Sequence, residues 1–220
     1  MLVVKDIRSL ERKLQSLKIA YKRIIETENY YWIESEKHGY LKALKPRTRS
    51  EIEEILKKGM FPPKYVKEVL HGKKIRTEAL KKALKVKRKG IIQEGKAGVG
   101  KTFALIFKIA SLLRYYFLNA PLYVPLQAFD LQSYRAVYQE YDSYLLDDLN
   151  PNLTEYKLDF VREIIYHAYN HDKRLFITTN TNLKELLGEF IKEEPLISRL
   201  LEVCEIQKIG ERKDLRTFKV

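Results

Sequence analysis

The chain has 220 residues, of which 45% are hydrophobic, with a single cysteine and a net charge of +13. This composition excludes global disorder and a disulfide framework within the chain. No stretch reaches the ~18 consecutive apolar residues of a membrane helix. We therefore expect a soluble, cytoplasmic protein with no membrane partner.

The positive charge is concentrated in the first 90 residues, which hold 25 Lys and Arg against 11 Asp and Glu. Residues 91–220 hold 17 basic and 18 acidic residues. Such an asymmetry indicates a polyanion or an acidic protein surface as the partner of the N-terminal part. A solvated, lysine-rich helical surface would give the same count, so both interpretations stay open.

Helical spacing dominates the start of the chain. Leu10, Leu14, Leu17 and Tyr21 follow one another at steps of four, three and four, which predicts a helix within residues 1–30. The aromatic cluster YYWI that follows is typical of packing residues. From these patterns we expect a small helical N-terminal domain.

Capping residues and prolines divide the next segment. We expect Ser50 to cap a helix over EIEEILKK, Glu53 to complete a capping box and Gly59 to end the helix. The prolines of FPPKY (61–65) predict an extended stretch. A basic helix follows over roughly 77–88, starting near Thr77.

From residue 90 onwards, short apolar runs alternate with amphipathic helical patterns. This alternation predicts an α/β domain with a parallel, helix-covered sheet. The boundary between this domain and the N-terminal part is expected between residues 50 and 90. The strand candidates are GIIQEG, APLYVPL, SYLLDDL, KRLFITTN and CEIQKIG.

The first strand candidate runs into the glycine-rich stretch GKAGVGKT, which fits the pattern G-x-x-x-x-G-K-[ST]. Such a loop lets backbone N–H groups cradle phosphate oxygens at a helix N-terminus, while its lysine reaches the β- and γ-phosphates and its threonine binds Mg²⁺. A plain glycine turn is the alternative, but a chance match has odds on the order of 1%. The predicted phosphate-binding residues are Gly95, Lys96, Ala97, Gly98, Val99, Gly100, Lys101 and Thr102.

Two aspartates end the apolar run YLLDD. After a phosphate-binding loop, Asp147 is expected to hold Mg²⁺, and Asp148 to orient and deprotonate an attacking water. The alternative for Asp148 is a turn cap, which the following Asn150 and Pro151 would suit.

Two further residues gain meaning from this context. Asn180 ends the strand LFITTN, where its amide could hold the attacking water, although an ordinary turn residue would look the same. Arg199 lies in PLISRLLE, a helix that we expect to begin at Pro195. An arginine supplied to a neighbouring subunit stabilises the transition state of phosphoryl transfer, whereas a surface ion pair is the alternative.

In their order, the motifs GKAGVGKT, YLLDDL, LFITTN, ISRL and GERKDLR resemble the AAA+ ATPases of the initiator branch. The DnaC-type replicative helicase loaders match best, with the IstB-type transposition ATPases and DnaA close behind, over about residues 59–220. The resemblance implies that Lys101 and Thr102 belong to Walker A and Asp147 and Asp148 to Walker B. It also implies that Asn180 is sensor 1.

The resemblance further makes Arg199 the arginine finger and places FPPKY near the adenine. It gives Arg216, in the terminal DLR, no role. No C-terminal helical lid is expected, since the chain ends soon after its last strand candidate. In the initiator branch, the region before Walker B carries helices that contact single-stranded DNA. Here that region is the short segment AFDLQSYRAVYQEYD, and it offers one basic residue, Arg135. The N-terminal part lacks the cysteines of a zinc-bearing loader domain, so metal is not expected there.

The implied protein is an ATP- and Mg²⁺-dependent loader of the replicative DNA helicase. Residues 1–58 would form a basic, helical partner-binding domain, and residues 59–220 the AAA+ ATPase. ATP and single-stranded DNA would control helicase loading and release, and protomers would assemble in trans through Arg199. Two alternatives stay open: a transposition or recombination helper that oligomerises on duplex DNA, and a nucleotide-switched adaptor with negligible hydrolysis.

Overall fold

The computed structural model describes residues 2–72, 77–189 and 194–210. Two sheets organise these residues: a four-stranded sheet near the N-terminus and a five-stranded parallel sheet beyond residue 90. The strands are β1 (Leu2–Val3), β2 (Tyr21–Glu26), β3 (Tyr30–Ser35), β4 (Gly39–Leu44), β5 (Gly90–Glu94), β6 (Pro121–Pro125), β7 (Ser143–Leu149), β8 (Arg174–Thr179) and β9 (Cys204–Lys208). The helices are α1 (Ile7–Ser16), α2 (Arg49–Lys58), α3 (Pro63–His71), α4 (Glu78–Lys85), α5 (Lys101–Arg114), α6 (Leu131–Val137), α7 (Glu155–Asn170), α8 (Leu183–Glu189) and α9 (Glu194–Val203).

The expectation of a helical N-terminal domain is wrong, because residues 2–44 contain a four-stranded sheet of order β1-β4-β3-β2 that packs on α1. Leu10 and Leu14 do lie on a helix and are buried. The helix then ends at Ser16, so Leu17 lies outside it and is 51% exposed. Tyr21 already belongs to β2. In YYWI the burial alternates along β3, which is the period of a strand.

The capping prediction for α2 is wrong by two residues. Thr48 is the N-cap, and it forms a capping box with Glu51. Gly59 is the C-cap, as predicted. FPPKY is extended only at its start, since α3 begins at Pro63, where the fixed φ of proline suits a first helical turn. The predicted basic helix is confirmed as α4, with Thr77 as its N-cap.

The apolar face of α2 does not pack in the N-terminal domain. Ile52 and Leu56 share a buried cluster with Ile106 and Ile109 of α5, whereas α1 and the first sheet have a cluster of their own. We therefore propose that the domain boundary lies at residues 45–48 rather than between 58 and 59.

The larger sheet confirms the predicted α/β fold. Its order is β6-β7-β8-β5-β9, and every neighbouring pair is parallel. Successive strand residues enter opposite clusters: Ile92 packs with α7 and α9, while Ile91 packs with α2 and α5. Such two-sided burial explains why the strands read as continuous apolar runs. Helix α6 has no counterpart among the predicted elements.

The predictions for residues 211–220, which include Arg216 and the lack of a lid, lie outside the described residues. Within residues 2–72, 77–189 and 194–210, no helix combines the length and the apolar character needed to cross a bilayer.

Candidate nucleotide-binding site

The glycine loop connects β5 to α5 at the carboxyl edge of the parallel sheet. Gly98 and Gly100 have φ angles of 82° and 88°, which favour glycine because it lacks a Cβ. Gly100 is the N-cap of α5 and brings no side chain to cap it. The first four amide groups of a helix have no intrahelical acceptor, so this loop presents N–H donors and the positive end of α5 to an anion.

Lys101 lies at the centre of the loop and is only 6% exposed. Its ammonium donates to the carbonyl oxygens of Gly95, at 2.5 Å, and Lys96, at 2.8 Å, and to Oδ1 of Asn180, at 2.8 Å. These acceptors hold the charged Nζ inside the loop and against the end of β8. The Lys101–Asn180 contact thus joins the loop to the end of β8 at one sheet edge.

Asp147 is the hub of a hydrogen-bonded group. Its Oδ1 accepts from the hydroxyls of Thr102, at 2.7 Å, and Thr178, at 2.6 Å. Its Oδ2 accepts from the phenol of Tyr123, at 2.6 Å. Three strands and the first turn of α5 thus converge on one carboxylate.

Tyr123 and Thr178 are site residues that sequence reasoning missed. Tyr123 interrupts the apolar strand β6, and its ring packs on Phe61, 5.5 Å between centroids. Burial and the Asp147 charge raise the pKa of the Tyr123 phenol, so it remains a proton donor at neutral pH. Thr178 stands next to the strand end in LFITTN. A polar residue in a fully buried strand is the signal that could have identified both.

Asp148 leaves the regular ladder. The β7–β8 register shifts between Leu146 and Leu149, and Asp148 has a φ of 63°. Its N–H donates to the hydroxyl of Thr178, at 2.8 Å, and its carboxylate accepts from Nδ2 of Asn180, at 2.6 Å. This irregularity aims Asp148 along the sheet edge towards Asn180, as β-bulges near functional sites do.

The environment of Asp148 disfavours its charged form. Burial raises the pKa of the Asp148 carboxyl, the neighbouring Asp147 charge raises it further, and Lys101 opposes the shift. A carboxylate whose pKa lies nearer neutrality is a better proton acceptor for catalysis.

A cavity of about 560 Å³ adjoins this group. Its lining includes Lys101, Asp148 and, from α3, Lys64 and Tyr65. The end of FPPKY therefore borders the same space as the glycine loop.

Two predicted residues lie apart from this cavity. Arg199, on α9, places its guanidinium over the rings of Tyr166 and Tyr169 of α7, 4.7 and 5.4 Å from their centroids. Arg199 is not among the residues that line the cavity. Arg135 is paired with Glu163 through Nε and Nη2, which neutralises the one basic residue of its segment.

Comparisons with solved structures agree with this architecture. The DnaC helicase loader matches 68% of this chain and 100% of its own chain, with a TM-score of 0.54 and 17% identity. A candidate primosome component from Streptococcus pyogenes serotype M3 matches 74% of this chain and 97% of its own, with a TM-score of 0.56 and 14% identity. Neither a protein-family model nor a curated protein matches the chain. The chain thus shares the fold of the DnaC helicase loader, in agreement with the helix-covered parallel α/β fold predicted from the sequence.

Proposed function

We propose that the chain binds and hydrolyses ATP at the carboxyl edge of its parallel sheet. The observation that carries this proposal is the convergence of Lys101, Thr102, Asp147, Asp148 and Asn180 on one cavity. Residues Gly95–Thr102 cradle the phosphates, since a triphosphate offers the anionic acceptors that the loop amides and Lys101 need. A phosphate oxygen is a stronger acceptor for Lys101 than the carbonyls that it contacts here.

Thr102 and Asp147 fit a magnesium ion. Mg²⁺ prefers hard oxygen ligands and is usually held by one or two protein groups together with substrate phosphates. The Thr102 hydroxyl and the Asp147 carboxylate, whose oxygens are 2.7 Å apart, supply that donor set. Bound Mg²⁺ would neutralise charge that develops between the β- and γ-phosphates. Tyr123 and Thr178 keep the Asp147 carboxylate in one orientation.

In hydrolysis, Asp148 is the general base and Asn180 positions the attacking water. Their side chains already contact each other, so one water can be shared between a carboxylate oxygen and the amide. The raised pKa of Asp148 suits it to accept the proton.

We propose that the ATPase serves as a loader of the replicative DNA helicase in the cytoplasm. This is supported by the fold shared with the DnaC helicase loader and with the candidate primosome component. The N-terminal domain binds the helicase, and ATP and single-stranded DNA control its loading and release.

Arg199 acts in trans on the site of the next protomer. Its position on α9, away from the cavity of its own chain, is compatible with that role. Arg199→Ala should abolish the stimulation of ATP hydrolysis by assembly, because a guanidinium in trans contributes roughly 10³-fold or more to such reactions. Full stimulation in a correctly assembled variant would exclude the assignment.

The decisive experiment is native mass spectrometry of the chain with the replicative helicase of the same organism, with and without ATP. We expect a defined complex that disappears when residues 1–44 are deleted, while ATP binding by the remaining chain persists. Deleting residues 1–58 instead would remove α2 from the ATPase core and confuse the result. Absence of a complex, together with binding to duplex DNA, would favour the transposition helper.

A further inference from the structure

The N-terminal sheet has one covered face and one open face. Tyr31 and Ile33 of β3 point into the core formed with α1. Since side chains alternate along a strand, Tyr30, Trp32 and Glu34 lie on the other face. Strand pairing aligns Trp32 with Ile25 of β2 and with Lys42 of β4. We call this second surface the open face.

Aromatic rings occupy the middle of the open face. Tyr30 and Trp32 meet edge to face, with 5.5 Å between ring centroids. Tyr40, which pairs with Glu34, is 61% exposed, and Ile25 is 39% exposed. Aromatic rings grouped on the uncovered side of a sheet are available to a ligand that stacks or packs on them.

Cations lie among these rings. The Lys42 ammonium lies 4.1 Å from the ring centroid of Tyr30 and 5.8 Å from that of Trp32. Arg23 pairs with Glu34 at 2.8 Å, which fixes its guanidinium on the same face. Residues 2–44 together hold 9 Lys and Arg against 6 Asp and Glu. The open face therefore combines aromatic rings with the charge of Lys42, while Glu34 offsets the charge of Arg23.

We propose that the open face binds single-stranded nucleic acid, with bases stacked on Tyr30, Trp32 and Tyr40 and phosphates near Lys42. Stacking rings beside basic side chains are what sequence-tolerant binding of single strands requires. Ile25 and, by strand register, Leu44 and Val3 also lie on this face, so an apolar partner helix is the alternative that the experiment must exclude. The inference gives a binding surface to the single strand that the proposed function invokes, and it does not depend on the ATP site, since no ATP-site residue takes part.

Trp32 makes the proposal directly testable, because it is the only tryptophan in the chain. A twelve-nucleotide oligothymidylate is titrated into the full chain without ATP, and intrinsic fluorescence is recorded. We expect saturable quenching by the single strand and much weaker quenching by a duplex of equal length or by heparin. Heparin is the control for charge without bases. Equal quenching by heparin, or none by the oligonucleotide, would overturn the proposal.

Substitutions on the open face test whether it is the binding surface, with oligonucleotide affinity measured by the fluorescence anisotropy of a labelled strand. Tyr40→Ala and Trp32→Ala should each weaken binding about tenfold. Tyr156→Ala, a matched control at a tyrosine of α7 that is 55% exposed, should change nothing. Lys42→Ala should reduce the slope of log affinity against log salt by about 0.7. The exposure of Tyr40 makes its variant safe for folding, which thermal unfolding would check.

The same variants separate this inference from the proposed function. Tyr40→Ala should bind ATP as the wild type does, because Tyr40 lies outside the ATP site. If the wild-type chain itself did not bind ATP, only the ATPase proposal would be refuted, and the nucleic-acid site would still stand or fall by the oligonucleotide titration. Unchanged oligonucleotide affinity in Tyr40→Ala, together with loss of the helicase complex, would show that the open face docks a protein and would refute the nucleic-acid site.

Discussion

The hydrogen bond from Tyr123 to Asp147 provides a sharp test of the proposed magnesium site. Tyr123→Phe removes one hydroxyl from a buried ring and leaves the packing on Phe61 intact. A hydrogen bond to a charged acceptor contributes about 1.5–3 kcal/mol. Asp147 keeps the donors Thr102 and Thr178, so we expect the lower end of that range, which is about tenfold in an equilibrium constant.

The assay is ATP hydrolysis at saturating ATP over a magnesium titration. The half-saturating magnesium concentration should rise about tenfold in Tyr123→Phe, because Asp147 is less firmly oriented. The matched control is Tyr144→Phe, which deletes the hydroxyl of another buried tyrosine whose acceptors are the backbone carbonyls of Tyr138 and Tyr141. An unchanged titration in Tyr123→Phe, or an equal shift in Tyr144→Phe, would refute the reasoning.

Three further substitutions test the site and its connection to the N-terminal domain. Asp148→Asn should bind ATP normally but hydrolyse it about 100-fold more slowly in a phosphate-release assay. Burial raises the pKa of Asp148. As the pH is lowered, the ATP hydrolysis rate of the wild type should therefore begin to fall at a pH above the ordinary titration range of aspartate. A fall that begins only near pH ~4, the ordinary range of aspartate, would contradict this. Lys101→Ala should weaken ATP binding in calorimetric titration by about 1.5–3 kcal/mol, whereas Lys85→Ala, exposed on α4, should not. Arg47→Ala should lower the free energy of unfolding by about 2–3 kcal/mol, and the exposed neighbour Arg49→Ala should stay within about 0.5 kcal/mol in the same denaturant titration.

The site was predictable to the extent that local sequence determines it. The glycines of GKAGVGKT determine the conformation of the loop. Parallel strands have their carboxyl ends at the same edge of the sheet, which places Asp147 and Asn180 at that edge. The contacts of Tyr123 and Thr178 depend instead on strand order and register, which place β6 and β8 on either side of β7. Neither can be obtained from the spacing of residues along the chain.

The N-terminal domain shows the opposite case. Leu10 and Leu14 predicted a helix correctly, but the pattern continued by coincidence through Leu17 and Tyr21. The alternation in β3 covers only six residues, and two of the residues on its open side are aromatic. Aromatic side chains on the open side remove the apolar–polar alternation by which a strand is recognised in a sequence, because both faces of the strand are then apolar.

Helix α5 connects the two parts of the molecule. It begins at Lys101 in the glycine loop and, at 14 residues, is about 21 Å long. At its far end, Arg47 donates to the carbonyls of Leu113 and Leu118 and to Oδ1 of Asn119. A cation at a helix C-terminus also stabilises its dipole.

Close packing around α5 makes it act as one rigid element, because protein interiors leave little free volume for one end to move alone. The buried cluster around Leu105, Ile106 and Ile109 supplies that packing. A displacement of the glycine loop on binding ATP would therefore also displace the C-terminal end of α5, where Arg47 anchors the N-terminal domain. If ATP affinity in Arg47→Ala equals that of the wild type, the two ends are energetically independent. A changed affinity would show that the anchor and the nucleotide site share one equilibrium, since coupling between two sites is reciprocal.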